Sequence, residues 1–164
     1  MKMYLVRHGI AELRTPEKDD AERILTKKGI AKTQEVAEKL SQKNVKFDII
    51  LTSPYVRAKE TAIILQKAKL SKQLQEHPAL MPDGNLLELL NWLQTSPYHS
   101  AESVALVGHQ PDLSQWAELL IWGRSEEKII LKKAGIIGLN VPDLNNPLGR
   151  AEMFLLVSPK WIID

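Results

Sequence analysis

The chain has 164 residues, of which 44% are hydrophobic, and this is enough for one domain with a single core over residues 1–164. Its net charge of +2 and its lack of cysteine give no sign of a nucleic-acid-binding protein, a disulfide framework or thiol chemistry. Because no apolar stretch is long enough for a signal peptide or a membrane span, we expect a cytoplasmic monomer that does not bind membranes.

The first predicted strand, over residues 3–6, ends in Arg7, His8 and Gly9. An apolar run followed at once by two polar side chains and a glycine predicts that the backbone turns there and presents both side chains at a sheet edge. An arginine offers a planar fork that matches phosphate oxygens, and a neutral imidazole can attack phosphorus. Alone, the triplet could equally be an ordinary strand end.

Helices and strands alternate along the next part of the chain. Thr26 is expected to cap a helix that runs to about residue 44. Residues 47–52 form a predicted strand, after which Ser53 and Pro54 are expected to be the N-cap and first residue of a second helix. This helix runs to about residue 69 and carries Arg57 near its start, with Thr61 on the same face.

The later elements repeat this arrangement. A Pro-Asp-Gly breaker at residues 82–84 precedes a predicted helix over residues 85–94. Residues 104–107 form another apolar strand that ends in Gly108 and His109, and the helix after Pro111 stops at Gly123. Residues 135–141 and 151–157 are predicted to pair as a hairpin.

Four side chains follow the carboxyl ends of predicted strands, where parallel sheets bind their ligands. We therefore expect Arg7, His8, Arg57 and His109 to converge on one catalytic and phosphate-binding site. The two arginines would hold the phosphoryl oxygens, and His8 would be the nucleophile that forms a phosphohistidine intermediate. His109 would stabilise the equatorial oxygens, as a cation when phosphate is nearby. This chemistry needs no metal and no cofactor.

Four ordered blocks, which span most of the chain, resemble the histidine phosphatase superfamily and are closest to its short phosphohistidine phosphatases. The resemblance implies an α/β fold of the phosphoglycerate mutase type: a three-layer α/β/α sandwich with a mostly parallel mixed sheet and one antiparallel strand. The blocks are Arg7-His8-Gly9, residues 25–29, residues 53–62 and Gly108-His109.

A general acid is the least defined part of the predicted site. Glu76 and Asp83 are the acidic candidates, although Glu76 could be an exposed charge and Asp83 a turn residue. In mutase-like members of the superfamily that this chain resembles, a serine follows Arg-His-Gly two residues later. In this chain Ile10 and Ala11 follow the triplet instead. A phosphohistidine substrate tolerates the lack of a general acid and the lack of this serine, because its imidazole leaves more easily than an alkoxide.

The sequence thus predicts a phosphatase that removes phosphate from a histidine on a protein, such as a histidine phosphotransfer domain in a signalling phosphorelay. Two alternatives remain open. One is a phosphomonoesterase that acts on a small phosphorylated molecule, and the other is a phosphate- or phosphoprotein-binding module that turns over slowly.

Overall fold

A computed structural model describes residues 1–163, which contain one six-stranded mixed sheet in the order β3-β2-β4-β1-β5-β6. Strand β5 is antiparallel to both of its neighbours, and the other strand pairs are parallel. This confirms the mostly parallel sheet with one antiparallel strand, including the predicted hairpin. The strands are β1 (Lys2–Arg7), β2 (Ile49–Thr52), β3 (Leu74–Glu76), β4 (Ser103–Gly108), β5 (Ile136–Asn140) and β6 (Glu152–Val157).

Helices cover both faces of the sheet, so the fold is the predicted three-layer sandwich. On one face, β1 contributes Met3 and Leu5 to a core shared with α3 and α4; on the other, Val6 packs in a core shared with α1 and α2, with α5 at its margin. Strands buried on both faces read as continuous apolar runs rather than alternating ones. The helices are α1 (Lys27–Gln42), α2 (Val56–Lys67), α3 (Leu86–Thr95), α4 (Asp112–Trp122) and α5 (Pro159–Ile163).

The helix signals predicted at Thr26 and Gly123 hold, the helix predicted over residues 85–94 lies one residue later, and the cap predicted at Ser53 fails. The Thr26 hydroxyl accepts a hydrogen bond from the Gly29 backbone N–H and caps α1, while Asn85 caps α3. Gly123 ends α4 in the left-handed conformation that glycine adopts without strain, at φ 77°. The prediction that Ser53 caps the second helix is wrong, because α2 begins only at Val56 and a turn separates it from β2.

Strand register brings the candidate residues to one edge of the sheet. Arg7 at the end of β1 is opposite Gly108 at the end of β4, and Thr52 of β2 is opposite Val107. His8, His109 and Ser53 each come directly after these paired residues. The carboxyl ends of three parallel strands therefore meet at the same place.

A close backbone contact supports the turn that follows β1. A Cβ at position 29 would lie 2.0 Å from the carbonyl oxygen of Ile10, far inside contact distance. Glycine at this position lets the first turn of α1 pack directly on the segment after the Arg7-His8-Gly9 triplet. The glycine in the second resembling block is thus required by packing.

Two elements have no clear signal in the sequence. Strand β3 has only three residues, none of them buried, and α5 spans Pro159–Ile163 with one buried residue. Neither segment has a hydrophobic pattern long enough to predict a strand or a helix. Within residues 1–163, no helix combines the length and apolar character needed to span a bilayer.

Candidate active site

A cleft of about 330 Å³ lies at this edge of the sheet and is lined by all four predicted site residues, Arg7, His8, Arg57 and His109. Arg7 ends β1 and His8 follows it, His109 follows β4, and Arg57 is in the first turn of α2. The cleft is rich in positively charged side chains. Its remaining lining residues are Ala11, Arg14, Asp20, Arg23, Pro82, Gln110 and Lys133.

The His8 ring is held in one orientation by a hydrogen bond on each nitrogen. Nδ1 lies 2.7 Å from the Gly9 carbonyl oxygen, so Nδ1 carries the proton and donates it. Nε2 then carries the lone pair and accepts a 3.3 Å hydrogen bond from Nε of Arg57. Burial is the main cause that lowers the pKa of His8 to about 3, and nearby His109 and the arginines lower it further. His8 is therefore neutral at physiological pH, with Nε2 unprotonated and bonded to Arg57.

Arg57 connects the cleft to two other segments. Its guanidinium donates from Nη1 to the Asp20 carbonyl oxygen at 2.7 Å and from Nη2 to the Asp20 carboxylate at 3.2 Å. One turn further along α2, the Thr61 hydroxyl donates to the Arg57 carbonyl oxygen at 2.8 Å and accepts from the Gly9 N–H at 3.0 Å. Thr61 thus ties α2 to the turn that positions His8.

His109 lies beside His8, with 5.2 Å between the two ring centroids. Its Nε2 is 2.8 Å from the buried Ser53 hydroxyl, which also accepts from the Tyr55 N–H. Ser53 thus positions a site histidine, a role that the predicted helix cap did not include. Burial first, and then the positive charge of Arg57, lower the pKa of His109 to about 4. His109 is therefore neutral at physiological pH, and a bound dianion would act to raise its pKa.

Two buried polar atoms in the cleft side chains have no hydrogen-bond partner within residues 1–163: Nε of Arg7 and Nδ1 of His109. Arg7 is otherwise fixed by a 3.0 Å hydrogen bond from Nη1 to the Leu131 carbonyl oxygen. A buried unpaired polar group costs about 1–3 kcal/mol. An oxyanion in the cleft could accept from both side chains, so the arrangement suits phosphate.

The two acidic candidates lie outside this constellation. Glu76 is exposed at the end of β3 and forms a 2.9 Å ion pair with Lys59. Asp83 is exposed in a turn, with φ 62°, as its turn interpretation predicted. Neither is among the residues that line the cleft, although Pro82 is.

The sequence did not reveal that the segment between β1 and α1 enters the cleft. It brings in Asp20, Arg14 and Arg23, and Lys133 comes from the segment before β5. This polar segment has no hydrophobic period from which the position of a side chain could be read. Among residues 1–163, no cluster of three or more His, Cys, Asp or Glu side chains is arranged to hold a metal ion.

The family model of the histidine phosphatase superfamily (branch 1) matches residues 3–82, which include Arg7, His8 and Arg57. An uncharacterized protein of Picosynechococcus sp. is 43% identical to this chain over 164 residues, or 99% of each protein. The phosphohistidine phosphatase SixA of Escherichia coli is 28% identical over 112 residues, or 68% of each protein. The chain belongs to the histidine phosphatase superfamily.

The structural comparison agrees with this assignment at the level of the fold. The solved structure of the protein histidine phosphatase SixA complexed with tungstate superimposes with a TM-score of 0.84. The match covers 99% of both chains at 23% sequence identity. The arrangement of sheet and helices is therefore that of the SixA-like, phosphoglycerate mutase-like proteins.

Proposed function

We propose that this protein is a protein phosphohistidine phosphatase that acts on a partner such as a histidine phosphotransfer domain. In this proposal it works as a monomer in a cytoplasmic phosphorelay. The observation that carries the proposal is His8: a buried neutral imidazole, fixed through Nδ1, with its Nε2 lone pair in a cleft lined by Arg7, Arg57 and His109. This is the state that a histidine nucleophile needs before attack on phosphorus.

The reaction would proceed in two displacements at phosphorus. Once Arg57 Nε no longer donates to it, Nε2 of His8 attacks, a P–N bond to His8 forms, and the P–N bond to the substrate imidazole breaks. The substrate imidazole, protonated on its second ring nitrogen, departs as a neutral molecule. Water then attacks the phosphorus, the bond to Nε2 breaks, and the two protons of the water leave with inorganic phosphate or pass to solvent.

The cleft supplies positive charge for the transferring group. Arg7 and Arg57 stay charged at any working pH. Arg7 can donate from Nε, which has no partner within residues 1–163, whereas Arg57 would exchange existing partners for the phosphoryl oxygens. The unpaired Nδ1 of His109 would take a proton as the dianion raises its pKa, and would then also donate. Fixed donors of this kind stabilise charge that develops in the transition state.

The choice of a phosphohistidine substrate rests on the acids of the cleft and on one relative. Glu76 and Asp83 lie outside the cleft. Partial burial works to raise the pKa of Asp20, but Arg57 and Arg23 outweigh it and lower the pKa below its usual value, so Asp20 is a poor proton donor. A phosphoramidate needs less help from an acid than an ester does. The Escherichia coli relative is a phosphohistidine phosphatase, which supports the same choice.

The proposal is tested with the purified chain, a phosphorylated histidine phosphotransfer domain and simple phosphate esters, compared at equal concentrations. We expect faster loss of phosphate from the protein substrate, and a phosphoenzyme that is acid-labile and base-stable. His8→Ala should abolish both turnover and the phosphoenzyme. His99→Ala, a change at an exposed histidine outside the cleft, is the matched control and should retain both.

Each other outcome selects an alternative. Faster turnover of esters would reject the protein substrate in favour of a small-molecule phosphomonoesterase. Phosphate binding without turnover of either substrate would favour the binding module. Glu76→Gln and Asp83→Asn should change phosphohistidine turnover little, and a large loss in either variant would show that a distant acid reaches the site.

A further inference from the structure

Asp20 is bound to Arg57, one of the two arginines proposed to bind phosphate. Its carboxylate and its backbone carbonyl oxygen accept from the two terminal nitrogens of Arg57, while the third nitrogen donates to His8. All three guanidinium nitrogens are therefore engaged before any ligand arrives. Each terminal nitrogen keeps a second N–H, but every pair of guanidinium nitrogens that could donate in parallel to two phosphoryl oxygens includes one already bonded to Asp20, so two-bond binding of a phosphoryl group competes with Asp20.

Asp20 is also the one acid among the residues that line the cleft within the described part of the chain. It lies among five arginine and lysine residues that line the cleft and forms ion pairs with three of them: Arg57 at 3.2 Å, Arg23 at 2.8 Å and Arg14 at 4.0 Å. The lowered pKa of Asp20 means that its carboxyl group carries a negative charge at neutral pH. A dianionic ligand in the cleft would be repelled by this negative charge.

The segment that carries Asp20 is anchored at its base and exposed to solvent towards its tip. Its base is fixed by the pairing of Ala11 with Leu25 and by a hydrogen bond from the Leu25 N–H to Glu60. Between these anchors, residues 13–19 are exposed. Asp20 would keep its bond to Arg23, a residue of the same segment, after it separates from Arg57. Displacement therefore leaves the carboxylate paired, which keeps its free-energy cost low.

We propose that Asp20 is an internal competitor for the phosphate site: its carboxylate holds Arg57 in the free protein and must leave that guanidinium when a phosphoryl group binds. The inference rests on the proposed function, because it concerns the same cleft. Competition with Asp20 makes binding at the site depend on the charge of the ligand. A phosphoryl dianion can displace a single carboxylate from Arg57, whereas a singly charged ligand such as a carboxylate or a phosphodiester gains little over Asp20.

The test is the binding of inorganic phosphate to the folded full chain, measured by titration calorimetry at fixed pH and salt. Asp20→Asn removes the competing charge and keeps an oxygen acceptor, so we expect phosphate to bind about tenfold more tightly than to the unaltered chain. Asp19→Asn is the matched control. It removes the same charge one residue away, where the carboxylate accepts from the Ala21 N–H and lines no part of the cleft.

The outcomes separate this inference from the proposed function. Tighter binding in Asp20→Asn with unchanged binding in Asp19→Asn supports the competitor role. Equal or weaker binding in Asp20→Asn overturns it and makes Asp20 a positioning residue for Arg57. Equal tightening in both variants would show a general charge effect and also overturns it. If neither the unaltered chain nor Asp20→Asn binds phosphate, the proposed function fails as well.

Discussion

The link between Thr61 and Gly9 offers a direct test of how the fold positions His8, the proposed nucleophile. Thr61→Val keeps the volume and branching of a fully buried side chain and removes only its hydroxyl. The hydroxyl accepts from the Gly9 N–H at 3.0 Å, and the Gly9 carbonyl oxygen in turn holds Nδ1 of His8. The substitution therefore leaves the Gly9 N–H buried and unpaired beside the His8 ring.

The size of the effect follows from that unpaired donor. A buried backbone N–H without a partner costs about 1–3 kcal/mol of the free energy of unfolding. For a chain of 164 residues, a loss of about 2 kcal/mol lowers the Tm by about 4–8 °C. Because Gly9 also orients His8, we expect kcat/KM for phosphohistidine to fall by about tenfold or more.

Urea unfolding and turnover of a phosphorylated phosphotransfer domain measure the two effects, with Thr33→Val as the matched control. Thr33 is also buried, and its hydroxyl donates to the Gly29 carbonyl oxygen one helical turn earlier, so its removal leaves no N–H unpaired. The control should lose less than about 1 kcal/mol and keep its activity. Equal losses of stability in both variants would refute the reasoning.

Two further predictions concern buried titratable side chains. Because folding lowers the pKa of His8 to about 3 and of His109 to about 4, the unfolded chain binds more protons below pH 6.5; each ring's contribution is intact above that pH and is lost as pH falls toward 3–4. The free energy of unfolding should drop by up to about 1.4 kcal/mol per pH unit for each ring, with a smaller slope in His8→Gln than in His99→Gln; equal slopes would contradict this. Glu118 is buried and accepts from the Ser125 hydroxyl and from the backbone N–H groups of residues 126–129. Glu118→Gln should therefore cost at least about 3 kcal/mol in urea unfolding, and a loss below about 1 kcal/mol would show that this loop is held by other contacts.

The parts of the fold that the sequence predicted are those encoded by local chemistry. An apolar run that ends in Arg7 and His8 can be read as a strand end, since two polar side chains are costly inside a core. Thr26 and Gly123 mark helix ends because a hydroxyl cap and a left-handed glycine act within one turn of the chain. The parallel register then follows, and with it the meeting of four side chains at one edge.

The tertiary structure alone determined the contacts between segments that share no hydrophobic periodicity. Ser53 carries the residue type of a helix cap, yet its hydroxyl lies beside His109, 56 residues away in the sequence. Asp20 lies in an exposed polar segment, and only the folded chain brings it to Arg57, 37 residues further on. Side-chain partners at such separations depend on how the packed layers place the loops. Local sequence determined which residues stand at the ends of the strands, and the three-dimensional packing determined what those residues touch.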